Sequence, residues 1–167
     1  MMTIDFSPYQ LIDYTAAWHE QTIAFLDQSY KFVGYTGPEL STLDNDLMMI
    51  EEIYAKPSCF KLLIDGDVIV GSVAVKIKAN EAELKRVFLD SQLHGQGLGK
   101  KLSLWAFDYA REQGCHTMHI WSGTLCTTAH ALYAYLGATN TQEQRFIGGQ
   151  DDCYEYYFVK DLSINRP

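Results

Sequence analysis

The chain changes rhythm along its length. From Leu98 to Gln113 apolar residues recur every three to four positions, placing Leu102, Trp105, Ala106 and Tyr109 on one helical face. Gly114 stands just past the end, where a helix stop is expected. On either side the pattern shortens into strands: "AELKRVFLD" before the helix and "CHTMHIWS" after it. A further helix, "TTAHALYAYLG", and a closing strand, "CYEYYFVKDL", follow. Earlier, "TIDFSPYQL" holds an opening strand. Helices are expected over Tyr14–Tyr30 and Glu39–Tyr54, the second with Leu43, Leu47, Ile50 and Ile53 on one face. "CFKLLIDGDVIVGSVAVKI" reads as a hairpin turning at Asp65-Gly66. The order is β-α-α-β-β-β-α-β-α-β. Its hairpin requires antiparallel pairing, and its later strand–helix alternation requires parallel pairing. The expected fold is therefore α/β (α+β), a mixed sheet with helices on both faces, in a single domain over residues 1–167.

Composition narrows the function. Of 167 residues, 47% are hydrophobic and 20% charged, values usual for a soluble globular chain. No apolar run is long enough for a membrane span, and "MMTIDFSPYQ" lacks the basic start and apolar core of a secretory signal. Cys59, Cys115, Cys126 and Cys153 lie far apart and form no CxxC pair, which argues against zinc and for reduced thiols in the cytoplasm. A net charge of −8 disfavours nucleic acid and suits a cationic ligand.

The candidate chemistry lies in "HGQGLGKKL", residues 94–102. Its glycines fall between a strand ending near Asp90 and a helix starting near Leu98. Such a junction aims backbone N–H groups and the positive end of a helix dipole at one spot, an arrangement for phosphate. Lys100 and Lys101 oppose the dipole in the first turn, and a bound anion would offset them. A P-loop would need Ser or Thr after the lysine and a glycine at position 94; Lys101 and His94 stand there. A dinucleotide fingerprint would need GxGxxG near the first strand; here the spacing is GxGxG in mid-chain.

"AELKRVFLDSQLHGQGLGKKL" resembles the central motif of the GNAT-type N-acetyltransferase superfamily, with His94, Gly97 and Gly99 in the positions of Gln or Arg, Gly, and Gly or Ala. "TTAHALYAYLGA" resembles the later family motif through Ala129, Leu132, Tyr133 and Gly137, and "IVGSVAV" resembles the family's second and third strands. The resemblance implies a mostly antiparallel sheet whose two parallel strands splay at the ligand site. It also implies acetyl-coenzyme A as cosubstrate, with no metal. The pyrophosphate would sit on the amides of His94, Gly95, Gln96, Gly97, Leu98, Gly99 and Lys100, and the pantetheine along Val87, Phe88 and Leu89. Cys126 stands where the family often has an asparagine that reaches the pantetheine. The Leu89 N–H is the implied oxyanion donor, Tyr133 the implied acid for the leaving thiolate, and Glu83 the implied base. His116, His119 and His130 are alternative bases.

The acceptor is expected to be an amine, either a small cation or a lysine or peptide amine. Its pocket is expected from the two N-terminal helices, their junction "YKFVGYTGP" and the loop "EQRFIGGQDDCYE", which supply Tyr30, Tyr35, Asp151 and Asp152. A homodimer is compatible with this reading. The competing function is a non-catalytic acyl-coenzyme A sensor or interaction module, which could dispense with Tyr133 and Glu83.

Overall fold

A computed structural model describes residues 3–36, 45–148 and 153–163. Strand β1 (Gln10–Asp13) is followed by one 3-10 turn (Ala16–Trp18) and helix α1 (His19–Val33). Two single-turn helices come next, α2 (Asn45–Met48) and α3 (Ile50–Ile53). Strands β2 (Cys59–Asp65), β3 (Val68–Lys78) and β4 (Glu81–Leu89) then form a meander. The rest is α4 (Leu98–Glu112), β5 (Thr117–Gly123), α5 (Thr127–Tyr135), β6 (Thr139–Gly148) and β7 (Cys153–Asp161). The seven strands form one sheet in the order β1-β2-β3-β4-β5-β7-β6. Among the described residues only the β4–β5 pair is parallel; the other pairs are antiparallel. This is the mixed, mostly antiparallel sheet expected, and α/β is the correct class.

Period-two alternation divides the core between the two faces of the sheet. On β2 and β3, Leu63, Val73 and Val75 join Leu102, Trp105, Ala106 and Phe107 of α4. Phe60, Leu62, Ile64 and Ala74 point the other way and join Leu26 of α1, Leu47 of α2 and Ile50 of α3. The α4 face also receives Met118 and Ile120 of β5, Phe158 of β7 and Tyr133 of α5. Helices thus cover both faces of the β2–β4 half. Two buried hydroxyls on α1 are satisfied within the helix: Thr22 donates to the Trp18 carbonyl and Ser29 to that of Phe25, each at 2.8 Å.

Three expectations on element bounds need adjusting. The first helix begins later and runs further, because Thr15 is extended and Gly34 ends the helix in a left-handed conformation with φ 111. The second helix, expected as one piece, is broken at Met49 in its described part; residues 37–44 lie outside the described region. The loop expected before the last strand is in part the edge strand β6. Its residues 142–147 are exposed on both faces, so no alternation betrays it. Backbone bonds to β7 hold it, with register shifts after Asn140 and Phe146. No helix among the described residues is long and apolar enough to cross a membrane.

Candidate active site

The parallel pair is the weak seam of the sheet. Pairing of β4 with β5 runs from Glu81 opposite Thr117 to Leu84 opposite Ile120 and then stops. Beyond it β4 remains paired to β3 as far as Leu89, and β5 to β7 as far as Gly123. The strands therefore splay, and the open edge of β4 is the stretch that includes Val87, Phe88 and Leu89. A bulge sets this up. Lys85 pairs with Ala74 and Phe88 with Ser72, so Arg86 and Val87 together stand opposite Val73. Arg86 takes φ 56, a conformation uncommon for a residue with a side chain. Its carbonyl accepts from the buried Ser72 hydroxyl at 2.7 Å. The bulge turns Arg86 onto the α1 face, while Val87 and Leu89 pack toward the α4 core and Phe88 toward α1. Gly71 lets this arm lie close: a Cβ there would be 2.9 Å from Leu89 and 3.2 Å from the Phe88 carbonyl.

The glycine loop leaves the end of that arm. Asp90 accepts from the Gln92 amide at 2.9 Å, starting a short 3-10 turn over Ser91–Leu93. The His94 ring follows, its Nε2 3.2 Å from the Leu89 carbonyl. A carbonyl only accepts, so Nε2 carries the proton there. Gln96 donates to the Gln92 carbonyl at 3.2 Å. Gly95 and Gly97 have φ 78 and φ 80, and nothing lies within 4 Å of where their Cβ atoms would stand. Glycine is required by the backbone conformation, and the space above the loop is open. Leu98 is buried and anchors the start of α4. No side chain caps the helix, so its first-turn amides at Leu98, Gly99 and Lys100 point outward without a capping acceptor. Both lysines lean away from the loop: Lys100 donates to the Tyr135 hydroxyl at 3.2 Å and Lys101 to the Asp5 carbonyl at 2.7 Å. An uncapped helix end, an open strand edge and unobstructed left-handed glycines fit a phosphorylated, amide-bearing ligand.

On the α4 face, α5 brings Tyr133 to the gap. The side chain is buried against Phe158, ring centres 5.9 Å apart. Burial, then Cys126 and then Tyr30 push its pKa well above the ordinary phenol value. The hydroxyl is therefore protonated at neutral pH. Tyr30 belongs to the core on the opposite face of the sheet. Cys126 precedes the first turn of α5, and burial raises its thiol pKa.

The α1 face supplies a roof. Tyr30 packs on Phe88 with ring centres 4.9 Å apart, and Tyr35 packs on Tyr30 at 5.8 Å. Tyr35 reaches across to β5, where its hydroxyl lies where a Cβ on Gly123 would stand. Arg86 anchors this roof by donating to the Tyr30 hydroxyl and to Asp46, each at 2.8 Å. Asp46 also accepts from the Tyr54 hydroxyl at 2.8 Å. Burial pushes the Asp46 carboxyl up, but Arg86, Tyr54 and Lys85 outweigh it and hold the pKa below the ordinary value.

The structure brings Tyr30, Tyr35, Phe88, Cys126 and Tyr133 together at the gap. Glu83 lies elsewhere, in the paired segment, opposite His119 of β5 and with its carboxylate 3.6 Å from Lys85 Nζ. Val87 stands four positions further along β4, about 13 Å of strand. His116 is exposed at the start of β5, and His119 is bonded to the Tyr157 hydroxyl at 2.6 Å. His130 packs against Tyr156 and Phe158, and burial lowers its pKa. Asp151 and Asp152 lie outside the described residues. No cluster of three or more metal-ligating side chains occurs among the described residues. Sequence reasoning missed Arg86, Asp46 and Gly123. The signal for Arg86 was two adjacent charges, Lys85-Arg86, interrupting an apolar strand, which is how a bulge can look in sequence.

Comparison with known proteins places these features in context. The model of the "Acetyltransferase (GNAT) family" matches residues 24–138. The uncharacterized N-acetyltransferase YjgM of Escherichia coli is 27% identical over 134 residues, 77% of each chain. The N-acetylaspartate synthetase of Rattus norvegicus is 34% identical over 100 residues, 57% of this chain, which spans 33% of that relative's length. Among solved structures, a GNAT-family acetyltransferase from Staphylococcus aureus superposes with a TM-score of 0.78 at 21% identity, covering 92% of this chain and 99% of that one. The yncA protein of Salmonella typhimurium, solved with its cofactor acetyl-CoA, gives a TM-score of 0.72 at 18% identity over 92% and 94% of the two chains.

Proposed function

The chain belongs to the GNAT family of acetyltransferases, and from that premise we propose that it moves an acetyl group from acetyl-coenzyme A to an amine by direct attack, acting as one domain over residues 1–167. The observation that carries this is the gap between β4 and β5, bordered by the glycine loop and by a buried, protonated Tyr133. The amides from His94 to Lys100 would hold the pyrophosphate, and the β4 edge at Val87–Leu89 the pantetheine, with Cys126 beside it. The bound thioester supplies the acetyl group.

Attack requires a neutral amine nitrogen. Glu83 accepts the ammonium proton through water, as its distance along β4 demands. The amine forms the C–N bond, and charge moves onto the thioester oxygen, where the Leu89 N–H donates a hydrogen bond. The C–S bond then breaks and Tyr133 gives its proton to the thiolate. Burial keeps the phenol protonated, so the proton is there to give, and the tyrosinate left behind takes a proton back from solvent before the next turnover. The acceptor enters from the α1 face, under Tyr30 and Tyr35. The aromatic roof favours a small cationic amine or a lysine or peptide amine. Relatives named N-acetylaspartate synthetase indicate that an amino acid is worth including in the substrate panel.

The test is thiol release from acetyl-coenzyme A across polyamines, lysine peptides and amino acids. Acetyl transfer predicts release that depends on, and saturates with, one class of amine. Tight coenzyme binding with no amine-dependent release would favour the acyl-coenzyme A sensor.

A further inference from the structure

The side chains of Lys100 and Tyr135 have no part in the mechanism above, yet they form an exposed pair beside the glycine loop. Lys100 lies in the first turn of α4, where the helix dipole disfavours a cation. Among the described residues no carboxylate pairs with it. Its ammonium instead donates to the Tyr135 hydroxyl at 3.2 Å and stands 4.8 Å from the centre of that ring. Tyr135 ends α5 and is 69% exposed. Packing explains how the two meet. A Cβ on Gly99 would lie 3.6 Å from Leu132 of α5 and 3.6 Å from Leu89 of β4, so the start of α4 sits between them. Tyr135 follows Leu132 by three positions and shares its helical face. The Lys100 ammonium is thus held on the α5 flank of the loop, opposite the β4 edge. Lys101 is engaged elsewhere, by the Asp5 carbonyl at 2.7 Å.

We infer that Lys100 recognises the ribose 3′-phosphate of the coenzyme, and that Tyr135 is the positioning residue that holds its ammonium ready. The inference rests on the acetyl-transfer reading, which lays the pantetheine along β4 and the pyrophosphate on the loop amides. In coenzyme A the pyrophosphate joins the pantetheine on one side to a 3′-phosphorylated ribose on the other. With the β4 side taken, the ribose leaves on the α5 flank, where Lys100 stands. An ammonium has three N–H donors, and the phenol takes one. The others are available to phosphate oxygens, while the ring face retains the charge. A lysine already held in place loses less rotamer freedom on binding than a free one. The pairing also offsets the cost of a cation in the first turn of α4, in a chain whose net charge is −8.

The experiment measures, by calorimetry at low salt, the affinities of coenzyme A and 3′-dephospho-coenzyme A for wild type, Lys100→Met, Lys101→Met and Tyr135→Ala. Melting temperatures confirm that each variant is folded. Wild type should prefer coenzyme A by about tenfold, a preference that shrinks as salt is added. Lys100→Met should bind the two ligands equally, with its affinity for the dephospho form within about twofold of wild type. Tyr135→Ala should lose about threefold of the preference, and Lys101→Met should retain all of it. A wild type that binds both ligands equally overturns the inference, as does a Lys100→Met protein that keeps the preference. Equal weakening of both ligands in Lys100→Met assigns the ammonium to the pyrophosphate and also overturns it. The full preference in Tyr135→Ala overturns the positioning role. Wild type that binds neither ligand overturns the acetyl-transfer reading as well, whereas amine-dependent thiol release without the preference overturns this inference alone.

Discussion

The two arms of the gap are made differently. The proposed coenzyme arm, β4 with the glycine loop and the start of α4, would recognise its ligand through backbone. Its features are an open strand edge, two glycines at φ 78 and φ 80, and an uncapped helix end. The acceptor arm is made of side chains from separate elements: Tyr30 from α1, Tyr35 beyond it, Asp46 from α2, and Arg86 from the bulge. A backbone site tolerates varied side chains but not an altered chain path. A side-chain site depends on long-range bonds, any one of which can fail.

The largest effect should come from the acceptor arm. Arg86→Met leaves Asp46 without its guanidinium and Tyr30 without its anchor. A broken, mostly buried ion pair costs about 3 kcal/mol. Thermal or urea unfolding should register that loss, while the folded fraction still binds coenzyme; coenzyme affinity that collapses per folded molecule would mean the two arms are not separable. The same pair carries a pH signature. The Asp46 carboxyl has a lower pKa folded than unfolded, so the unfolded chain binds the extra proton. Its stabilisation is intact above the unfolded value of about 3.9 and disappears as pH falls through the folded value. The acid limb of the wild-type stability curve should be steeper than that of Arg86→Met.

Next in size is Tyr133→Phe. It should leave acetyl-coenzyme A affinity within a few-fold and lower kcat by about 100-fold. Turnover equal to wild type across about pH 6 to 9 would reduce Tyr133 to packing against Phe158. Gly97→Val sharpens the comparison from the other side. A branched residue at φ 80 costs roughly 1–2 kcal/mol locally, and the chain would leave that path. Coenzyme affinity should weaken by tenfold or more in calorimetry, with Tyr30, Tyr35 and the acceptor arm undisturbed. The smallest effect is expected for Glu83→Gln, a few-fold drop in kcat/KM, since the proton route runs through water. Superimposable profiles per folded molecule would leave Glu83 only its contact with Lys85, a surface pair worth about 0–1 kcal/mol.

The contrast between the arms also explains what could be read from sequence. A special chain path leaves its mark as glycine spacing, so the left-handed loop at Gly95 and Gly97 was legible, as was the Asp65-Gly66 turn, where Gly66 has φ 56. Strands β2 and β3 were legible as continuous apolar runs flanking that turn, because helices bury both of their faces. Strand β6 was not, because it lies at the sheet edge with polar residues on both sides and is held by backbone bonds. Arg86 was not, because its role depends on a bulge that moves its side chain to the other face, and on Asp46, forty residues away in sequence. Glu83 was found by motif spacing, yet pairing with β5 places it before the splay begins. Sequence spacing measures distance along β4 and carries no information about where its neighbour leaves.

The most direct test of the central claim is residue-resolved amide exchange with and without coenzyme A. The account predicts new protection in two blocks, Val87–Leu89 on the strand edge and Gly97–Lys100 at the start of α4. It predicts no change over Glu81–Leu84, where β5 already occupies the edge. Protection confined to other strands, or none in the glycine loop at saturating coenzyme, would contradict the assignment of the gap between β4 and β5 as the donor site.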